Sequence, residues 1–338
     1  MSLKSMLTRV AGGETLARDE ARAGFAGALV EELDPALLAG LLSALAARGE
    51  TPDEIAGAAD ALRDAMVPFE HDHPDAIDTC GTGGDGLGTF NLSTAAAIVA
   101  AAAGARVVKH GNRAASSSCG SADLLAAAGL PLDLTPEASR TLLDEVGITF
   151  LFAPAYHPAL RFAAPIRRAL GIRTVFNLVG PLANPGRVRR QLIGVPDGAR
   201  VEAIGHVLGA LGAERAYVVH GAGGADELTL AGPNRVLCVG DAPREAFDGQ
   251  ELGFDTVPVE ALQGGDSERN LHLLNELLDA ERGPLFDAVC LNAGAALVVA
   301  GRAASARTGV DAARDALTSG AARATFTQWV QRAQELGG

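Results

Sequence analysis

Three groups of polar residues in this chain have the types and spacing to do chemistry. The stretch from Asp78 to Thr94, DTCGTGGDGLGTFNLST, packs Gly81, Gly83, Gly84, Gly86 and Gly88 into eight positions, directly after a short apolar run. Without a Cβ, glycine lets backbone N–H groups turn inward and approach a ligand. A loop of this kind feeding a helix N-terminus binds anions, most often phosphate. The hydroxyls of Thr82, Thr89, Ser93 and Thr94 add donors, and Ser93 or Thr94 is placed to cap the helix predicted by the Ala-rich run 95–103. Asp85 would repel a phosphate unless it bonds a sugar hydroxyl or holds a metal. The loop therefore points to a ligand carrying ribose, phosphate and a divalent cation.

The second group, KHGNRAASSSCGSADLL, follows Val107 and Val108. It sets Lys109, His110, Asn112 and Arg113 within five positions, then Ser116, Ser117 and Ser118. Lysine and arginine neutralise phosphate charge, while small hydroxyls and loop N–H groups position it. In the third group, AYVVHGAGGADELTL, Asp226 and Glu227 follow a strand pattern and a glycine turn. Adjacent carboxylates suit Mg²⁺, which takes oxygen ligands and bridges to substrate phosphates. Between these groups Arg167 and Arg168 precede Gly171, and GPLANP, from Gly180 to Pro185, forms a rigid turn. An arginine beside an apolar, proline-lined wall suits a flat aromatic carboxylate. The glycine loop is not a Walker A sequence. Gly81, Gly83 and Gly86 satisfy G-x-G-x-x-G, but the acidic residue a dinucleotide site needs is missing, and the next strand leads into Lys109. No nucleophile stands with an attendant base, so the chemistry reads as positioning and charge neutralisation.

Two textures of chain position these groups. Up to about residue 66 the pattern is helical: Asp34 and Pro35 open a helix with Leu37, Leu38, Leu41, Leu42 and Leu45 on one stripe. Thr51, Pro52 and Glu54 form a capping box before a helix that turns Ile55, Ala58, Leu62 and Met66 inward. These helices cannot bury much alone and must pack on something later in the chain. The connector VPFEHDHPD places His71 and His73 around Asp72; it reads as a solvated linker rather than a metal site. From Ala76 onward, short β-branched runs (AIDT, ARVVKHG, ITFLFAP, RAYVVHG, RVLCVG and FDAVCLNAG) alternate with helical segments 95–104, 121–128, 199–211 and 269–279. This βαβα rhythm predicts an α/β fold with a doubly wound, mostly parallel sheet and ligands at the C-terminal ends of its strands. The expected division is a small helical domain, 1–70, joined by about 165–185, and an α/β domain, 71–338.

Composition narrows the partners. A net charge of −13 opposes nucleic acid as the main ligand, so an anionic substrate must be held by local cations and N–H groups. The four cysteines lack metal-site spacing and read as free thiols of a reducing compartment. The N-terminus has no signal-peptide core, and no apolar run approaches the roughly 18 residues of a membrane span, so a cytoplasmic protein is expected.

Taken in order, DTCGTGGDGLGTFNLST, KHGNRAASSSCGSADLL, APIRRALGIRTVFNLVGPLANP, HGAGGADEL and LNAGAALVVAG closely resemble the anthranilate phosphoribosyltransferase family over nearly the whole chain. The resemblance implies transfer of the phosphoribosyl group from 5-phosphoribosyl 1-diphosphate to anthranilate with Mg²⁺, in tryptophan biosynthesis. It also implies a homodimer formed through the helical domain. By position, Gly81, Gly84, Asp85, Thr89, Asn91, Leu92, Ser93 and Thr94 would hold the phosphoribosyl diphosphate. Lys109, His110, Gly111, Asn112, Arg113, Ala114, Ala115, Ser116, Ser117 and Ser121 would complete that site. Ser93, Asp226 and Glu227 would bind magnesium; Asn112 and Arg167 would contact anthranilate, with His110 and Pro181 at its entrance. Ala183 and Leu160 depart from residues common in the family and bear on the fine shape of the pocket. The rivals are a pyrimidine nucleoside phosphorylase, whose chains usually carry a further C-terminal domain, and a nucleic-acid-binding relative, which the charge opposes.

Overall fold

The computed structural model describes residues 2–114 and 118–337. Four helices open the chain: α1 (Leu3–Ala11), α2 (Arg18–Ala26), α3 (Pro35–Arg48) and α4 (Pro52–Ala65). The Asp34 carboxylate accepts from the N–H groups of Ala36 and Leu37 to start α3. At α4, Thr51 and Glu54 cap each other reciprocally, at 2.9 and 3.3 Å. Glu54 is fully buried because its other oxygen accepts from Leu16 N (3.1 Å) and Arg48 pairs with it. Met6, Phe25, Leu38, Leu41, Leu42, Leu45, Ile55 and Leu62 fill the interior of this bundle, while Leu37 is only half-buried.

The remaining chain runs β1 (Ile77–Thr79), α5 (Leu92–Ala102), β2 (Val107–Gly111), α6 (Ser121–Ala127), α7 (Pro136–Glu145) and β3 (Ile148–Phe152). Next come α8 (Ala153–Tyr156), α9 (Leu160–Leu170), α10 (Val175–Leu178), β4 (Arg190–Gly194), α11 (Val201–Ala210), β5 (Arg215–His220) and β6 (Arg235–Gly240). The chain closes with α12 (Ser267–Leu278), α13 (Pro284–Ala300), α14 (Ala306–Thr318) and α15 (Ala321–Gly337). The sheet order is β3-β2-β1-β4-β5-β6; every pairing is parallel except the antiparallel β5–β6 edge. The strand order reverses between β1 and β4, which opens a crevice at their C-terminal ends, where ligands of such sheets bind.

Alternation along the strands divides the interior in two. Leu192, Tyr217 and Val219 point into one layer with α5 and α13 to α15. Ile193, Ala216 and Val218 point into the other, which is shared by α11, the N-terminal bundle and the segment 163–183. The first helices thus find the later partner they need on one face of the sheet.

Three expectations differ from the structure. FDAVCLNAG is not a strand but the interior of α13, with Pro284 at its first position and Gly301 ending it in the left-handed region. The helix is buried from Ala288 to Ala300, so it carries no amphipathic stripe and its β-branched residues mimic a core strand. The central strand β4, RQLIG, has no such signal, because Arg190 and Gln191 open it with polar residues. His71 and His73 are half-buried and bonded rather than free in solvent. The first meets the Gly186 carbonyl (3.0 Å) and the second the Asp144 carboxylate (2.7 Å), which pins the linker to the sheet domain.

At the crevice, Gly194 ends β4 where any Cβ would overlap the backbone carbonyl of Asp226, and a Cβ at Gly81 would overlap the Asp226 carboxylate. Gly194→Ala is expected to cost about 1–3 kcal/mol by forcing the 226–227 turn away from the sheet. A lowered midpoint in a thermal melt checks this; an unchanged midpoint contradicts it.

Candidate active site

The 226–227 turn closes just after β5, where Gly221 N–H donates to the Ala225 carbonyl (2.9 Å). Asp226 Oδ2 then accepts from Gly83 N–H (2.7 Å), and Glu227 Oε1 accepts from Ser93 N–H (2.9 Å). The helix α5 begins at Leu92, so Ser93 and Thr94 lie inside its first turn rather than capping it. Asn91 occupies the cap position but its side chain caps no helix N–H, and the carboxylate of Glu227 serves the N–H of Ser93 instead. The other Glu227 oxygen is buried with no partner among the described residues, as is one oxygen of Asp85. Asp85 uses its second oxygen for Leu87 N–H (3.1 Å).

Burial, and then the like charge of Asp85, push the Asp226 carboxyl up to about 7. Burial and the neighbouring Asp226 push Glu227 well above the usual carboxylate range. Lys109 is buried behind them; its ammonium donates to the Thr79 carbonyl (2.5 Å) and reaches Ser93 Oγ at 3.5 Å. Among the described residues no three His, Cys, Asp or Glu side chains enclose an ion. The carboxylates therefore offer part of a coordination shell, as suits a divalent cation completed by water and substrate phosphate. The unpartnered oxygens of Glu227 and Asp85 fit that cation.

The Lys109–Ser121 loop is tied by a residue the sequence reading did not single out. Asp123 accepts from Ala114 N–H (2.9 Å) and Gly120 N–H (3.0 Å), and it pairs with Arg113 (2.9 Å). Asn112 Oδ1 accepts from Arg113 N–H (2.7 Å), and Ser121 Oγ donates to the Asn112 carbonyl (3.3 Å). A Cβ at Gly111 would overlap that serine hydroxyl. Ala115, Ser116 and Ser117 lie outside the described residues. Asn91 donates to the Cys119 carbonyl (3.1 Å) and accepts from Asn270 (2.9 Å), so it joins the two loops. Leu92 is buried and Thr94 Oγ1 is a buried hydroxyl with no partner among the described residues; Thr89 bridges to Gln263.

Further supports lie within quoted motifs but had no individual role assigned from sequence. Asp78 is buried and pushed up to about 6 by desolvation; it accepts from His110 N–H (3.2 Å) and Asn184 (2.8 Å), which locks GPLANP onto β1 and β2. Asn292 of α13 accepts from Leu228 N–H (3.1 Å) and donates to its carbonyl (2.8 Å), which fixes the chain beside Glu227.

On the opposite side Arg167 is half-buried with its guanidinium 5.5 Å from the Phe176 ring centre and no carboxylate partner among the described residues. Burial lowers its pKa. His110 lies 5.1 Å from His157 between ring centres, and burial lowers the two to about 3 and about 4, so both are neutral. Pro181 is buried, with its carbonyl accepting from Gln191 (2.7 Å). A cleft of about 410 Å³ opens between the bundle and the strand ends, lined by Thr82, Gly84, Asp85, Arg173 and Arg200 among others. It takes in the glycine loop but not Arg167, Asn112 or Lys109.

Comparison with known proteins agrees with this layout. Residues 73–323 match a model described as glycosyl transferase family, a/b domain, and residues 4–66 match the helical bundle domain of the same family. An anthranilate phosphoribosyltransferase of Roseiflexus sp. (strain RS-1) is 47% identical, with 98% of each chain covered. That of Myxococcus xanthus (strain DK1622) is 49% identical with 96% of each covered. The crystal structure of anthranilate phosphoribosyltransferase from Thermus thermophilus superposes with a TM-score of 0.92 at 46% identity, over 97% of this chain and 99% of that one. The Saccharomyces cerevisiae enzyme in complex with PRPP and Mg shares the fold, with a TM-score of 0.89 at 23% identity, over 98% of each chain.

The raised carboxyls set a pH dependence. In the folded protein Asp226 holds its proton up to about pH 7, whereas the unfolded chain releases it near its ordinary value. Ionisation is therefore opposed by the fold, and stability without metal falls as pH rises through that window. A divalent cation competes with those protons. The rise in Tm on adding Mg²⁺ should be largest above pH 7 and fade toward pH 5. Thermal melts with and without Mg²⁺ across that range check it, and a pH-independent rise contradicts it.

Proposed function

The chain belongs to the anthranilate phosphoribosyltransferase family, and from that premise we propose how its residues divide the work. The reaction moves the 5-phosphoribosyl group from 5-phosphoribosyl 1-diphosphate to the amine of anthranilate and releases diphosphate, a step of tryptophan biosynthesis. The observation that carries the assignment is that Asp226 meets the glycine loop at Gly83 and Glu227 meets Ser93 of α5, with the other Glu227 oxygen buried and without a partner among the described residues. Asp226, Glu227 and the Ser93 hydroxyl would hold Mg²⁺, which when bound neutralises charge on the departing diphosphate.

The glycine loop, with Gly81, Gly84 and Thr89, offers N–H and hydroxyl donors to the donor substrate, and Asp85 a carboxylate for its ribose hydroxyls. Lys109 places its amino group beneath the loop, where the ribose C1 would lose its leaving group. Asn112, whose Oδ1 is already engaged, presents its amide N–H groups to the acceptor. Arg167, stacked on Phe176, orients the acceptor carboxylate. The acceptor amine is an aniline, unprotonated at neutral pH, so no strong base is required. Neutral His110 and His157 suit a wall of the acceptor site rather than a proton acceptor.

The bundle and the returning segment of about 165–185 share one apolar interior, which supports their working as one helical unit against the α/β part. Family membership supports a homodimer in the cytoplasm, and the four cysteines are free thiols. No helix among the described residues is long and apolar enough to cross a membrane. Phosphorolysis of nucleosides and nucleic-acid binding are not favoured by the relatives.

Anthranilate fluorescence should fall only when the protein, phosphoribosyl diphosphate and Mg²⁺ are all present, and EDTA should abolish the loss. No loss with a folded protein would sink the reading. Arg167→Ala should raise the KM for anthranilate about tenfold or more, the range for losing a charge-assisted bond, with a smaller effect on the KM of the donor. Steady-state kinetics decides; an unaltered anthranilate KM removes Arg167 from that role.

A further inference from the structure

Among the positive-φ glycines of the loop, Gly83, Gly86 and Gly88 have open space where a Cβ would stand. Gly84 differs. Its φ is +79°, and a Cβ there would overlap the guanidinium of Arg173. Arg173 belongs to the turn between α9 and α10, far from the loop in sequence, and its Nη1 donates to the Gly83 carbonyl at 2.5 Å. The same Gly83 donates its N–H to Asp226 Oδ2 at 2.7 Å. One residue is therefore held from both sides, by a carboxylate of the metal group and by an arginine of the returning segment.

That segment is fastened to the bundle. Val175, Phe176 and Leu178 are buried in its apolar interior, and Phe176 meets Phe25 of α2 edge-on, with ring centres 6.0 Å apart. Phe176 is also the ring over which the Arg167 guanidinium lies. Arg173 has no carboxylate partner among the described residues, so Gly83 is the contact that directs it. We propose that Arg173 is a positioning residue that couples the donor and metal side of the site to the acceptor side, along Asp226, Gly83, Arg173 and the block bearing Arg167. The proposal rests on the assignments of Asp226 and Arg167 made above.

A residue of this kind moves several affinities together, because each ligand biases the same contact. In the full-length protein, Arg173→Gln should raise the Mg²⁺ concentration for half-maximal rate and the KM values of both substrates together. About fivefold each is expected, the low end of coupling effects, since the arginine is exposed. The Tm without ligands should change little, and Arg173→Lys, which keeps a cationic donor, should recover part of the loss. If Arg173→Gln folds poorly, the lysine variant gives the same readout at smaller size.

A rise in the donor KM alone would mean that Arg173 touches the donor directly and would overturn the positioning role. No change in any of the three would overturn it as well. The carboxylate variant Asp226→Asn with Glu227→Gln separates the two levels. If it loses its Mg²⁺ response while Arg173→Gln behaves as wild type, the coupling fails and the site stands. If it titrates normally, the metal assignment beneath the proposal fails too.

Discussion

Desolvation of two adjacent, half-buried carboxylates at the reversal point of the sheet is the constraint on which the rest of the structure depends. Isolated carboxylates at that depth would be strongly disfavoured, and the raised pKa values of Asp226 and Glu227 record it. The fold offsets the cost with donors that are otherwise orphans: the first turn of α5 through Ser93, and the glycine loop through Gly83. It also brings up Lys109 from the neighbouring strand. Each of these needs β1, β4 and β5 to end at the same level. The parallel registers supply that, and the missing side chains of Gly81 and Gly194 let the turn sit against the strand ends. Under the proposed function, a divalent cation with a phosphate-bearing substrate would relieve what remains.

The proposed acceptor side is held by packing rather than by charge. Arg167 projects from a segment that leaves the α/β layer and buries Val175, Phe176 and Leu178 in the bundle. Its cationic head is held over an aromatic face, an arrangement that keeps a desolvated guanidinium in place without neutralising it. The two halves meet across the cleft, where the Arg200–Glu50 pair (2.8 Å) and the Arg173–Gly83 bond bridge them.

What the sequence made legible was chemistry carried by local composition. The glycine run, the clustered cations after Val108 and the Asp226–Glu227 pair are each contiguous, and the structure brings the first and last into hydrogen-bonding contact. What stayed hidden were partners set by tertiary packing. Glu227 caps α5 from the turn after β5, and Asp78, Asn292 and Asp123 brace loops from inside motifs that gave those side chains no individual role. The α13 run reads as a strand because a helix buried on all sides loses its 3.6-residue stripe. The strand β4 escapes detection because its polar start faces bonds rather than solvent: Gln191 donates to Pro181 and Arg190 pairs with Glu214.

The most direct test of the account is whether these two carboxylates hold a cation. Mn²⁺ titrated into the protein with diphosphate present, followed by loss of the free-ion signal in electron paramagnetic resonance, reads binding without turnover. The account predicts that wild type binds Mn²⁺ and that diphosphate tightens the binding, while Asp226→Asn with Glu227→Gln abolishes both. Equal binding by the two proteins would contradict it.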